Sequence, residues 1–146
     1  MILCGGLHLS HGKKLKCQFK EKYFDYVKTV YYCSVTLLDN SLNRMTIDGF
    51  TGTHLANKND NDVNGIYTYG NIKYIPEGLG FLFNLTALSL QNSNLIEIKA
   101  ENFLGLQKLE YLNLYANKIK SVPLDEFSTL TKLKYLTLTN NQIEVL

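Results

Sequence analysis

A block of apolar residues recurs in this chain at a fixed period, and that recurrence limits its fold more than any other feature. Leu85, Leu88, Leu90 and Leu95 are followed by Leu109, Leu112, Leu114 and Ile119, then by Leu133, Leu136, Leu138 and Ile143. The spacing is 109 − 85 = 24 and 133 − 109 = 24, without a gap. The second half of each unit keeps step: Ile98 matches Val122 and Leu146, Phe103 matches Phe127, and Leu106 matches Leu130. Asn117 and Asn141 share one position, which Ser93 fills in the first unit. An amphipathic helix could imitate one unit, but not the Asn and the period three times over. Self-similarity of this kind marks a repeat architecture, in which each unit buries its apolar face only against its neighbours.

Within a unit, Leu88 and Leu90 alternate with polar residues, as a strand with one buried face requires. One short strand per unit, laid beside the next, makes a parallel sheet. The side-chain amides of Asn117 and Asn141 can satisfy backbone groups freed where the chain leaves the strand. Ser93 offers only a hydroxyl, so the first rung of such a ladder is expected to be weaker. Phe103 and Phe127 are expected to stack on the far side of the core. Each buried leucine contributes about 1.5–3 kcal/mol, so apolar burial between neighbours holds the stack.

A unit reading LxxLxLxxNxL with a variable second half resembles the leucine-rich-repeat family, and the 24-residue length with a Phe is similar to its extracellular subclass. The resemblance implies an α/β solenoid, a right-handed superhelix with a short parallel concave sheet, an irregular convex side and a β-rich N-terminal cap. The repeat region is assigned to residues 63–146. It holds three clear units and a degenerate one carrying Ile72, Ile75-Pro76, Leu79 and Leu82. The strand of that upstream unit is expected between Val63 and Tyr69, with Val63 and Ile66 as inward candidates. Its register stays open, because Gly70 and Asn71 compete for the Asn position.

The first unit of such a stack has an open apolar end that must be covered. Residues 13–62 are assigned to an N-terminal cap and a polar loop. Val30 to Leu37 is rich in β-branched and aromatic residues and alternates, so it is expected to be a strand, with Leu15 to Phe19 as its partner. On Cys17, Cys33 and the stretch Gly52-Thr53-His54-Leu55, this cap is similar to the short caps of insect secreted members of the family. At the other end the sequence stops at Leu146 inside a unit, so an uncapped apolar edge is expected, as in a truncated chain or one whose edge a partner covers.

Cysteine usage bears on the compartment. Residues 1–12 run from an apolar stretch to Ser10-His11-Gly12, a small-x-small pattern before Lys13 that is expected to be the remnant of a secretory signal peptide. Its removal takes Cys4 and leaves Cys17 and Cys33 as a pair. A bridge between them would contribute about 3 kcal/mol by restricting the unfolded chain; the alternative is two buried thiols in a reducing compartment. Two cysteines with no nearby histidine make a poor zinc site.

Other chemistry is thin. The net charge of +2 and scattered lysines are too weak for nucleic-acid binding, and no apolar run reaches the roughly 18 residues of a transmembrane segment. Asp60-Asn61-Asp62-Val63-Asn64-Gly65 matches the opening of a calcium loop, but Asn71 stands where the bidentate Glu belongs, so a solvated polar loop is expected. His8 and His11 fall in the signal segment, and His54 has no nucleophile or carboxylate at a motif spacing. No catalytic residue, metal ligand or cofactor is assigned, and the chain is not read as an enzyme. Asn84-Leu85-Thr86 is an N-glycosylation sequon.

Function is expected on the concave sheet, where residues flanking the inward leucines point outward. The candidate binding face is Ser89, Gln91, Tyr111, Asn113, Tyr115, Tyr135, Thr137 and Thr139, with Tyr111 and Tyr135 at one position in successive units. Exposed tyrosine offers contact area and a hydroxyl at low entropic cost. The expected role is recognition of a protein ligand outside the cell. The alternatives are self-association through the uncapped C-terminal repeat, a structural role, and inhibition of an enzyme by binding it.

Overall fold

The computed structural model describes residues 13–24, 28–38, 47–122 and 125–144. The expected signal segment, with Cys4, His8 and His11, lies outside them, as does Leu146. Eight strands follow in chain order: β1 (Lys13–Lys16), β2 (Gln18–Phe24), β3 (Lys28–Leu38), β4 (Ile47–Thr51), β5 (Gly65–Gly70), β6 (Ala87–Leu90), β7 (Tyr111–Asn113) and β8 (Tyr135–Thr137). β1 and β4 pair in a small parallel sheet, and the other six form one sheet in the order β2-β3-β5-β6-β7-β8.

The large sheet is mixed. β3, β5, β6, β7 and β8 run parallel, whereas β2 returns antiparallel to β3 as the arm of a hairpin. The short parallel sheet expected of the repeats is thus part of a mixed one, through this one antiparallel pair. The α component of the expected α/β class is corrected too: the described residues hold no α-helix, only short 3-10 turns at Asp60–Asp62, Leu79–Phe81 and Ala100–Phe103. A unit that spends its first half on strand and turn leaves too few residues for a stable α-helix.

Register aligns the repeats as the apolar period requires. Cys33, Ile66, Leu88, Leu112 and Leu136 fall in one inward column across β3, β5, β6, β7 and β8. Successive spacings are 112 − 88 = 24 and 136 − 112 = 24, but 88 − 66 = 22. The upstream unit is therefore two residues shorter. Gly70 takes the place of Asn92, and Asn71 that of Ser93, as Gly70 N–H to Asn92 O and Ile72 N–H to Ser93 O show. Asn71 is exposed and accepts from the Asn94 amide at 3.2 Å, so it is no buried rung.

The rungs are Asn117 and Asn141. Asn117 Oδ1 accepts the N–H groups of Ser93 and Leu95, each at 3.0 Å, while its Nδ2 donates to Leu90 O at 2.8 Å and Leu114 O at 3.0 Å. Asn141 repeats the pattern one unit on, accepting from Ile119 N–H at 3.1 Å and donating to Leu114 O and Leu138 O. Ser93 donates only to nearby Gln91 O, so its rung does not reach the preceding unit. Phe103 and Phe127 meet with ring centroids 5.6 Å apart. The main core runs without a break from Leu15 and Phe19 to Leu130.

The N-terminal strands differ from expectation in their pairing. The stretch around Leu15 to Phe19 is not one strand: β1 pairs with β4, β2 pairs with β3, and the break between them is Cys17. Cys17 and Cys33 form a disulfide with Cα atoms 5.0 Å apart, which joins this break to the inward column. Of the alternatives left open by the sequence, the structure has the bridge and not the thiols.

Candidate functional site

The face of the sheet opposite the main core follows from the same register. One row is Tyr32, Gly65, Ala87, Tyr111 and Tyr135; the next is Ser34, Tyr67, Ser89, Asn113 and Thr137. Alternation along each strand places both rows, with Val30, on the outer side. Tyr111 and Tyr135 are direct register partners and half-buried. Tyr115, one alternation further on, is half-buried and its hydroxyl accepts from the Asn140 amide at 2.9 Å. Thr139 is exposed, and Thr137 half-buried. Asn113 Oδ1 accepts Tyr115 N–H at 2.9 Å while its amide meets Gln91 Oε1 at 3.4 Å, so the two side chains brace one another.

Ser89 does not belong to the accessible face. It is 1% exposed, because its register partners Tyr67 and Asn113 flank a side chain shorter than either. Ala87 is wholly buried by a different route: with Val30 it forms a small apolar cluster against which Tyr32, Tyr67 and Tyr111 pack. Val30 reaches this cluster only because residue 65 is glycine: a Cβ there would overlap Val30 and lie 2.9 Å from Tyr32 Cβ. Tyr32 and Tyr67, which sequence reasoning missed, pack with ring centroids 4.7 Å apart. The strip is thus Tyr32, Tyr67, Tyr111 and Tyr135, not Tyr111 and Tyr135 alone. Burial pushes the Tyr67 phenol above its ordinary pKa of 10.0, and the neighbouring Tyr111 and Tyr32 add to the shift.

The signal for Tyr67 was present in Ile66-Tyr67-Thr68, an alternation with an aromatic in the outward place. With Val63 and Ile66 both standing as inward candidates, at odd and even positions, which place was outward stayed open. Nothing in the sequence tied Tyr32 to the repeats, since 66 − 33 = 33 residues separate the column positions of β3 and β5.

Elsewhere, His54 and Asp60 brace the N-terminal hairpin. His54 does have a carboxylate beside it: Nε2 lies 2.8 Å from Asp60 Oδ1, and Nδ1 lies 2.9 Å from the Tyr31 hydroxyl. That corrects the reading of an isolated histidine. The Tyr31 hydroxyl also accepts Leu55 N–H, and the imidazole stacks on Phe19 at 3.9 Å between centroids. With Tyr31 2% exposed and both ring nitrogens engaged, this group pins residues 54–60 to the hairpin.

The Asp60 to Asn64 oxygens point to separate partners: Asp60 to His54, Asp62 to Asn59 N–H, and Asn64 to Tyr31 N–H. Among the described residues no group of three or more His, Cys, Asp or Glu could hold a metal ion. Asn84 of the sequon is half-buried; its amide donates to Asn61 O at 3.1 Å and its Oδ1 accepts from Lys108 Nζ at 2.9 Å. No helix among the described residues is long and apolar enough to cross a membrane.

No curated protein matches the chain. Residues 83–143 match the family model described as Leucine rich repeat, and these residues supply β6, β7, β8 and both asparagine rungs, so this segment is similar to that family.

Proposed function

We propose that this chain is a secreted, non-enzymatic binding module that recognises a protein through the tyrosine-lined face of its sheet. Leucine-rich repeats commonly mediate protein–protein contact, and the reading takes the parallel strands as the concave side of a short solenoid. The single observation that carries it is the direct pairing of Tyr111 with Tyr135, outward on adjacent strands. Such a pair on a preordered sheet presents area and hydroxyls with little ordering cost. The Cys17–Cys33 bridge supports an oxidising destination, since structural disulfides persist outside the cytosol. Secretion, the signal segment in residues 1–12 and a glycan on Asn84 belong to the same proposal. The domain division follows it, with residues 13–62 as cap and 63–146 as repeats.

The test uses the partner purified from the medium in which the protein is made. Changing both Tyr111→Ala and Tyr135→Ala is expected to weaken binding by roughly a hundredfold, about 1–2 kcal/mol for each anchor. Affinity unchanged in the double variant sinks the reading.

A further inference from the structure

The same face has a charge pattern that the repeats alone do not dictate. β2, at the sheet edge, is in register with β3 through Gln18 and Ser34, Lys20 and Tyr32, and Lys22 and Val30. Register partners share a face, so Lys20 and Lys22 stand on the outer side, next to the row that begins with Tyr32. Both are exposed. Across the six strands, the outward positions 18, 20, 22, 30, 32 and 34 of the hairpin, 65 and 67 of β5, 87 and 89 of β6, 111 and 113 of β7, and 135 and 137 of β8 contain no Asp or Glu. Glu21 faces the other way and is held by Lys58 at 3.3 Å. Glu110, at the entrance to β7, is bridged by Lys134 at 2.9 Å. Among the described residues, these outward strand positions therefore carry phenol, amide, hydroxyl and ammonium groups and no carboxylate of their own.

We infer that the partner presents an acidic segment, whose carboxylates meet Lys20 and Lys22 while its side chains lie along Tyr32, Tyr67, Tyr111 and Tyr135. The inference rests on the proposed use of this face for protein recognition and names the chemistry of what it takes. Carboxylates are the complementary ligand because Lys ammonium and Tyr hydroxyl both donate to them, and charge-assisted bonds are the stronger kind. The lysines at the end of the strip steer the encounter, and the tyrosines supply contact area.

The probe is a fluorescein-labelled random copolymer of Glu and Tyr, compared by anisotropy with a Lys–Tyr copolymer of equal length. The acidic copolymer is expected to bind, with an affinity that falls as salt rises, and the basic one is not. Lys20→Glu with Lys22→Glu should weaken binding by about tenfold or more, the lower end of electrostatic steering, and flatten the salt dependence. Tyr111→Ala with Tyr135→Ala should weaken binding while leaving the salt slope unchanged. Circular dichroism and melting of each variant establish that it folds, and Lys20→Gln with Lys22→Gln, which adds no repulsion, gives an intermediate loss.

Equal binding of the two copolymers overturns the inference. So does charge reversal that alters self-association but not copolymer binding, because the lysines would then serve only to keep the β2 edge from pairing. Tight binding of polyphosphate that ignores the tyrosine substitutions overturns it as well, by assigning the lysines to phosphate. If the tyrosine pair is required for the purified partner but the lysines are not, the acidic segment fails and the binding face stands.

Discussion

Replacing Asn117 with alanine tests how far the stack depends on its polar rungs. The residue is buried, and its Oδ1 is the acceptor for Ser93 N–H and Leu95 N–H. Alanine leaves those two donors without a partner in a region where Ser93 and Leu95 are both fully buried. Each buried N–H left unsatisfied costs about 1–3 kcal/mol, so Asn117→Ala should destabilise by about 4 kcal/mol. Leu114 O loses less, because it still accepts from Asn141 Nδ2 at 2.9 Å. Asn141→Ala orphans only Ile119 N–H, at a half-buried site that water can reach, so about 1 kcal/mol is expected there. Urea unfolding followed by far-ultraviolet circular dichroism measures both. At a slope of about 2 kcal/mol/M the midpoint should fall by about 2 M for Asn117→Ala and about 0.5 M for Asn141→Ala, with the slope unchanged. Asn117→Asp sharpens the test. It keeps the acceptor but turns a carboxylate oxygen toward Leu90 O and Leu114 O. Burial and those carbonyls hold its folded pKa above the unfolded value, so its stability should be highest in acid and fall as pH rises. Equal costs for Asn117→Ala and Asn141→Ala would refute the argument that burial and rung position set the penalty.

Three further outcomes are expected. Ala116 has φ of 52° at the strand exit where Asn92 and Asn140 have 51° and 59°; asparagine tolerates that left-handed conformation better, so Ala116→Asn should stabilise by about 0.5–1 kcal/mol in the same urea assay. Reducing the Cys17–Cys33 bridge, which closes a separation of 16 residues, should lower stability by about 3 kcal/mol, read as a drop in melting temperature with a thiol reductant that Cys17→Ser with Cys33→Ser reproduces. The Tyr67 phenol ionises more readily in the unfolded chain than in the buried strip. Its stabilising contribution is therefore complete below about pH 10 and is lost as pH rises beyond, and Tyr67→Phe should show a shallower alkaline loss of stability than wild type.

The period of 24 residues was enough to read the inward column from Leu88 to Leu136, the Asn117 and Asn141 rungs and the Phe103–Phe127 contact, because each is set by spacing within or between identical units. The sequence was less informative wherever the period changed. Shortening the upstream unit by two residues keeps the parity of its strand, so Tyr67 is outward at either length; it was missed because Val63 and Ile66, which would lie on opposite faces of one continuous strand, both stood as inward candidates. Gly70 and Asn71 could not be told apart because that unit departs from the period. Ser89 was misjudged because alternation reports which face a side chain takes, not whether larger neighbours overtop it. His54 was read as isolated because Tyr31 and Asp60 reach it through space, from 23 and 6 residues away.

The N-terminal strands belong to the same sheet as the repeats. Cys33 occupies the leucine column, so β3 acts as an extra strand of the stack, and the disulfide fixes it where the chain crosses between the two sheets at Cys17. One residue before Cys33, the same strand turns Tyr32 to the outer face, and two residues before that, Val30 passes over Gly65 to cover Ala87. Period-two alternation therefore couples the two faces. Holding Cys33 inward holds Tyr32 and Val30 outward, and neither can slip without the other because a one-residue shift would bury tyrosine and expose cysteine. β2 then inherits its facing from β3, which is why Lys20 and Lys22 stand beside the tyrosines and Glu21 does not. The covalent staple beneath the sheet thus fixes the charge and the aromatic content of the surface above it.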